Sequence, residues 1–221
     1  MSGSFSVFAR ELKLAWSGGG GAALPVGFFA AAASMTPFAV GNEIGNLQIA
    51  GPGVMWIALA LASLLPMERL FQADLEDGTL DAYAGSGIAM EGIALAKTLA
   101  HWIATGIPLA LIAPILWIML QGPPEQVLFV IGAALVGSLA FFFFGSIGAA
   151  LAAGLRRGGL VIALVTLPLY VPTMIFGAAA LYMAAGGGDW GQPALLAGAV
   201  AMFGIATSPF AAAMALRMAI D

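Results

Sequence analysis

The sequence predicts an all-α membrane protein with six transmembrane helices. Of its 221 residues 62% are hydrophobic and 8% are charged, and the mean hydropathy is +1.02. A soluble domain carries roughly 25% charged residues, so this composition cannot form a water-exposed surface. A helix needs about 20 mostly apolar residues to cross a bilayer. The apolar runs predict one transmembrane domain, preceded by a cytoplasmic or interfacial segment over residues 1–21, with spans at 22–41, 52–67, 98–120, 127–154, 159–184 and 194–216.

The basic residues predict how these spans are oriented. If both termini lie on one side of the membrane, all seven Lys and Arg residues fall on that side. They are Arg10, Lys13, Arg69, Lys97, Arg156, Arg157 and Arg217. Cytoplasmic loops of membrane proteins are enriched in Lys and Arg, so we expect both termini in the cytoplasm. Arg10 and Lys13 also interrupt the apolar core that a signal peptide would need, so the first span should stay in the membrane.

Several classes of function are disfavoured by residues that the chain lacks. It has no cysteine, which excludes disulfides, iron–sulfur clusters and thiolate zinc sites. Its basic residues are scattered, so no nucleic-acid surface is expected. No charged residue lies near the middle of a predicted span, which argues against an ion-coupled carrier, although a sodium site of backbone carbonyls stays open. The glycines at 18–21 are not followed by the lysine of a phosphate-binding loop. We therefore expect a non-catalytic protein whose energy, if it does active work, comes from a partner.

The connection over residues 68–97 is the longest one expected outside the membrane, and it is acidic. It contains six Asp and Glu residues against Arg69 and Lys97. Within it and just before it, the spacing of Met67, Leu70, Phe71 and Leu75 predicts one apolar stripe on a short helix. Asp77-Gly78 is a typical stop signal for that helix, and a second short helix over 88–97 should lead into the third span.

Two interpretations of this connection stay open. Amphipathic helices at membrane surfaces are usually basic, because anionic lipids attract them, and this one is not. It is either a solvated loop whose apolar stripe packs on the protein's own bundle, or a docking helix for a basic soluble partner. Under the second interpretation the contact residues are Glu68, Arg69, Leu70, Phe71, Asp74, Leu75, Glu76, Asp77 and Gly78.

Two smaller features are candidates for binding. His101 is the only histidine and stands beside Trp102, one turn into the third span. The pair could contact haem or an interface, but a single histidine without further ligands in its helix favours a structural role, with a hydrogen bond to a group such as Glu68. Arg156 and Arg157 form a turn that anchors the topology, and a second contact with a cytoplasmic partner is the alternative. No metal site and no bound cofactor are expected.

Four separated motifs resemble one family of membrane proteins. They are ERLFQADLEDGTLD from residue 68, LAKTLAHWIATGIPL from 95, GLRRGGLVIALVTLPLYVPTMIFG from 154 and SPFAAAMALRMAI from 208. Together they resemble CcmB, the family of haem exporter protein B in cytochrome c maturation. The length, the six spans and the order of the motifs are similar over nearly the whole chain.

This resemblance implies a subunit of an ABC-type complex in the bacterial inner membrane. The implied partners are the ATPase CcmA, the membrane proteins CcmC and CcmD, and the periplasmic haem chaperone CcmE. ATP would then bind to the ATPase, the complex would handle haem, and the 68–78 segment would be the coupling helix. The favoured function is that ATP hydrolysis drives release of haem-loaded CcmE from CcmC. A permease that moves haem or another hydrophobic substrate, and a structural scaffold for the haem-handling subunit, remain as alternatives.

Overall fold

The computed structural model describes residues 2–17, 21–41, 43–155 and 158–220. Within these ranges the regular structure is helical and contains no strand. Six of the helices there are long and apolar enough to cross a membrane. The prediction of an all-α protein with six spans is therefore confirmed, and the chain is a multi-pass membrane protein.

Ten α-helices follow one another along the described chain. They are α1 Ser2–Ser17, α2 Ala23–Val40, α3 Ile44–Leu64, α4 Gln72–Glu76, α5 Thr79–Gly85, α6 Met90–His101, α7 Ile107–Met119, α8 Val127–Ala152, α9 Gly158–Ala185 and α10 Gly191–Ile220. Short 3-10 turns occupy Leu65–Arg69 and Pro124–Gln126. A π-helical turn, Trp102–Gly106, joins α6 to α7, so that Met90–Met119 is one long helix.

The second membrane helix begins earlier than the predicted span. Helix α3 starts at Ile44 rather than at residue 52, and it contains the sequence Gly51-Pro52-Gly53 in its interior. Such a sequence is typical of a turn. Here Gly51 and Pro52 are buried, and a Cβ atom on Gly51 would lie only 3.3 Å from the Cβ of Leu120. Close packing against α7 thus supports the helix through residues that would break it in water.

The centre of the bundle is built around Trp56 of α3. Its ring is 1% exposed and lies against Gly137 of α8 and Gly177 of α9. Phe141 meets the indole edge-to-face with ring centroids 5.9 Å apart, and Tyr170 follows at 4.6 Å from Phe141. Lipid gives apolar helices no hydrophobic drive to associate, so van der Waals contacts of this kind hold the spans together. The two glycines are what makes room for the indole.

One end of the bundle carries the described basic residues, and we call it the basic end. Lys97 and Arg10 both pair with Glu11 there. Arg217 of α10 donates to Glu91 of α6 at 2.6 Å, and Arg69 lies on the turn that ends the second membrane helix. The Arg156–Arg157 turn of the sequence prediction lies outside the described residues.

We predict that adding a methyl group beside Trp56 destabilises the protein. In Gly177→Ala the new Cβ would overlap the indole ring, so the change should cost about 1–3 kcal/mol as an overpacked core does. Gly132→Ala in α8 is the matched control, since no atom lies within 4 Å of its Cβ position. Thermal unfolding in detergent should show a lower midpoint for the first variant alone. Equal midpoints for the two variants would contradict this account of the core.

Candidate functional site

Residues 65–85 overlap the first part of the connection predicted over 68–97, and they fold as three short helical pieces. The 3-10 turn Leu65–Arg69 leads to α4, and α5 follows after a break at Gly78. Gly78 adopts a left-handed backbone with φ of 77°, which glycine reaches without steric cost. The side chain of Asp77 accepts a hydrogen bond from the Thr79 amide at 2.9 Å. The helix therefore stops at the Asp77-Gly78 pair, as the sequence indicates.

The apolar stripe of this segment faces the protein's own bundle. Met67, Leu70 and Phe71 are at most 1% exposed, and they share one buried cluster with residues of α8 such as Phe142. Leu75 is half-buried. Under the docking interpretation Leu70 and Phe71 contact a partner, whereas the structure packs both side chains within the subunit. Alanines at the end of α8, among them Ala149, leave a space that these side chains fill, so the nearest apolar surface belongs to the subunit itself.

The opposite side of the segment is polar and exposed. Glu68, Glu76, Asp77 and Asp81 are exposed, and we call these four carboxylates the acidic face. Arg69 is also exposed, whereas Gly78 is half-buried. The side chain of Gln72 donates to Glu76 at 2.8 Å and accepts from the Gly154 amide at 2.8 Å. The segment thus presents an acidic surface next to the turn between α8 and α9.

Asp74 points inward, into a set of charged groups that we call the ion cluster. The Lys97 Nζ atom lies 2.5 Å from Asp74 Oδ2 and 2.7 Å from Glu11 Oε2. All three residues are at most 5% exposed. A buried ion pair is costly to desolvate unless its geometry is good and its partners are complete. Lys97, between two carboxylates, meets that condition and joins α1, α4 and α6.

Two further side chains complete the ion cluster. Arg10 donates to Glu11 Oε1 at 3.0 Å and to the Tyr83 hydroxyl at 2.8 Å, and its Nη1 atom lies 3.7 Å from Asp74 Oδ1. His101 Nε2 lies 3.8 Å from Glu11 Oε2. The cluster therefore comprises Arg10, Glu11, Asp74, Lys97 and His101, and Tyr83 ties α5 to it.

The two residues singled out in the third span have structural partners. His101 was expected beside a group such as Glu68, and the structure gives it Glu11 instead, because α1 lies along α6 at that level. Trp102 donates from its indole nitrogen to the hydroxyl of Ser138 in α8 at 3.1 Å. Within the described residues no group of three or more His, Asp and Glu side chains has the arrangement of a metal site.

The charge state of Glu11 follows from its surroundings. Burial alone would raise the pKa of this carboxyl, but His101 and the positive charge of Lys97 outweigh burial and lower the pKa to about 2. Glu11 is therefore ionised at neutral pH. Two carboxylates, Glu11 and Asp74, thus face two basic side chains, Lys97 and Arg10, so the formal charges of these four residues cancel.

Sequence reasoning missed the ion cluster because its members are far apart in the chain. Glu11 and Lys97 are separated by 86 positions, and Asp74 and Lys97 by 23. One signal was available. Glu11 follows the buried Val7 by four residues, and Lys97 follows the buried Ile93 by four. A charge on the apolar face of a helix indicates a buried partner of opposite sign.

We predict that Lys97→Met destabilises the protein by about 3–5 kcal/mol, because it strands two buried carboxylates. The control is Lys13→Met, since Lys13 is exposed on the same helix as Glu11. Thermal unfolding in detergent measures both. Adding Glu11→Gln and Asp74→Asn to Lys97→Met should recover most of the loss. If the Lys97→Met variant unfolds at the same temperature as the wild type, the cluster contributes nothing to stability.

Comparisons with known proteins agree with the resemblance seen in the motifs. The model of the CcmB protein family matches residues 3–219. The chain is 42% identical over 213 residues to heme exporter protein B of Paracoccus denitrificans (strain Pd 1222), covering 96% of this chain and 98% of that protein. It is 40% identical over 222 residues to heme exporter protein B of Bradyrhizobium diazoefficiens, with both chains fully covered. The protein of that name from Escherichia coli (strain K12) is 35% identical over 226 residues, covering 97% and 98%. The predicted resemblance is thereby confirmed: the chain belongs to the CcmB protein family.

Proposed function

We propose that this protein is the non-catalytic membrane subunit of an ABC-type haem exporter complex in the bacterial inner membrane. The observation that carries the proposal is family membership over residues 3–219, with relatives named heme exporter protein B at 35–42% identity. The chain has no phosphate-binding loop, so a separate ATPase would supply the energy. Haem is handled by the complex, and ATP is bound by the ATPase.

The favoured activity is coupling of ATP hydrolysis to the release of haem-loaded CcmE from CcmC. CcmA would be the ATPase, and CcmD a further membrane subunit. The charges of the spans support release rather than passage of haem. In the described parts of the six long helices, charged side chains lie near the helix ends and none lies at mid-depth. Two haem propionates crossing the bundle would leave their charges unpaired in hydrocarbon.

A permease for a hydrophobic substrate is the second candidate. One observation favours it, a cavity of about 550 Å³ between α8, α9 and α10, lined largely by apolar and small residues that include Trp56, Phe129, Gly177 and Trp190. ATP-dependent movement of haem into vesicles that contain the purified complex would support this candidate. Release of CcmE without such movement would support the favoured activity.

The acidic face is the contact that we propose for the ATPase. Glu68, Glu76, Asp77 and Asp81 are exposed and close together in the chain. Complementary charge steers partners and sets their register, so the matching surface on the ATPase should be basic. The buried residues Leu70, Phe71 and Asp74 would not contact the ATPase but would hold the segment in position against the bundle. Arg156 and Arg157 would be a second contact, because Gly154, two residues before Arg156, is hydrogen-bonded to Gln72.

The proposed orientation places the basic end and both termini in the cytoplasm. Since the chain has no native cysteine, single cysteines can be introduced without background. We expect a membrane-impermeant thiol reagent added to intact spheroplasts to label cysteines within 121–126 and 186–192. A cysteine at position 81 should be labelled only after the membrane is opened. Labelling of residues within 74–90 from the periplasmic side would refute this orientation.

The docking proposal is tested by removing charge from the acidic face. The variant Glu76→Gln, Asp77→Asn, Asp81→Asn should bind the ATPase about tenfold more weakly, a loss of roughly 1.4 kcal/mol. Asp74 is left unchanged because it pairs with Lys97. The matched control removes three exposed acids at the other end of the bundle, by Glu43→Gln, Glu125→Gln and Asp189→Asn.

Co-purification of the ATPase in mild detergent measures both variants. The control should retain the ATPase at the wild-type level. If both triple variants retain it equally, the contact lies elsewhere at the basic end, and α1 around Arg10 becomes the next candidate.

A further inference from the structure

The ion cluster joins the proposed docking segment to a membrane span. Asp74 belongs to α4, two residues before Glu76 of the acidic face, and Lys97 belongs to α6. Helix α6 continues through the π-helical turn into α7, so Met90–Met119 runs as one helix from the ion cluster into the membrane. A displacement of α4 that left α6 behind would pull Asp74 away from Lys97, inside a buried site where no water replaces the lost partner.

The same cluster ties in the N-terminal helix, which runs parallel to α6. A Cβ atom on Gly3 would meet the side chain of Ile88, and one on Gly92 would meet Ser4. Further along both helices Glu11 pairs with Lys97. Beyond α1, the Thr105 hydroxyl donates to the Gly21 carbonyl at 3.2 Å. Contacts at four successive levels hold the N-terminal segment along the start of the third span.

The other side of α4 borders a groove. A cavity of about 330 Å³ separates α4 from the turn between α8 and α9, and is lined by Gln72 and Glu76 on one wall and by Gly154 and Ile162 on the other. The hydrogen bond between Gln72 and the Gly154 amide crosses this gap, and Leu75 packs beside Gly154. Just before α4, Phe71 is buried in one cluster with residues of α8.

We infer that the ion cluster makes α1, α4 and the start of the third span one rigid body. When force is applied to the acidic face, this body rotates relative to the connection between α8 and α9. The inference rests on the proposed function, since the force comes from the ATPase. Glu11, Asp74 and Lys97 are then positioning residues that transmit movement. Moving the body costs the Gln72–Gly154 hydrogen bond and strains the contacts of α6 with α8 and α10, such as the Arg217–Glu91 pair. Splitting it would instead unpair three buried charges.

Two crosslinks placed in the assembled complex distinguish rigid from moving contacts. A Cβ on Gly92 lies 3.6 Å from the Cβ of Ser4, within the disulfide range of about 3.5–4.5 Å. Closing Ser4→Cys with Gly92→Cys should leave ATP hydrolysis unchanged, because α1 and α6 move together. A Cβ on Gly159 lies 3.8 Å from Glu68 Cδ. Joining Glu68→Cys to Gly159→Cys with a short thiol crosslinker should lower hydrolysis about tenfold or more relative to the same variant before crosslinking, because the link blocks the rotation. That comparison removes any effect of Glu68 on ATPase binding.

The ion cluster itself is tested by replacing its charge link with a covalent one. In the triple variant Glu11→Gln, Asp74→Cys, Lys97→Cys, which leaves no buried carboxylate of the cluster without its lysine, the complex should hydrolyse ATP more slowly, while the acidic face still retains the ATPase. Joining the two thiols with a short crosslinker should restore hydrolysis. A residue with a merely structural role would not be rescued by linking α4 to α6 alone.

Three results would overturn the inference. The first is that closing the 4–92 disulfide abolishes ATP hydrolysis and that a reductant restores it. The second is that the complex hydrolyses ATP at the full rate with the 68–159 link closed. The third is that the 74–97 link does not restore hydrolysis. Each of them leaves the proposed function standing, provided that the ATPase co-purifies with the wild-type protein. Absence of any ATPase from the wild-type complex would instead refute the proposed function, and this inference with it.

Discussion

The basic end of this protein depends on one interaction, the ammonium of Lys97 held between the carboxylates of Glu11 and Asp74. Each of the three charges would be costly to bury alone, and Arg10 beside the two carboxylates supplies the second positive charge that balances them. The N-terminal helix, the 65–85 segment and the third membrane helix therefore share one point of attachment. The position of the acidic face relative to the membrane follows from it, because that face has no other charged anchor to the third span among the described residues.

The membrane core depends on a different constraint, close approach of helix backbones. Trp56 fits between α8 and α9 because Gly137 and Gly177 carry no side chain at the contact. Packing of this kind replaces the hydrophobic drive that a soluble core has and a bilayer lacks. Between this packing and the charge pairing at the basic end lies the gap beside α4, where we propose that movement occurs.

The 65–85 segment reconciles the two interpretations that its sequence left open. Its apolar stripe packs on its own bundle, with Phe71 buried, and its carboxylates divide between two tasks. Asp74 serves the ion cluster, whereas Glu76 and Asp77 face outward, where we propose that the ATPase binds. An amphipathic pattern predicts that an apolar stripe will be buried, but it does not predict which surface will bury it. The docking interpretation included Leu70 and Phe71 as contact residues, and the structure buries both within the subunit.

The sequence by itself determined the fold class and the number of spans, because the thickness of the bilayer turns a local run of about 20 apolar residues into a membrane helix. Its separated motifs also identified the family. Only the tertiary structure decided where α3 begins, since Gly51 and Pro52 stay helical through contact with α7. It also decided the partners of His101 and Lys97. Those partners lie on helices distant in the chain, and a charge on an apolar face does not reveal which helix will neutralise it.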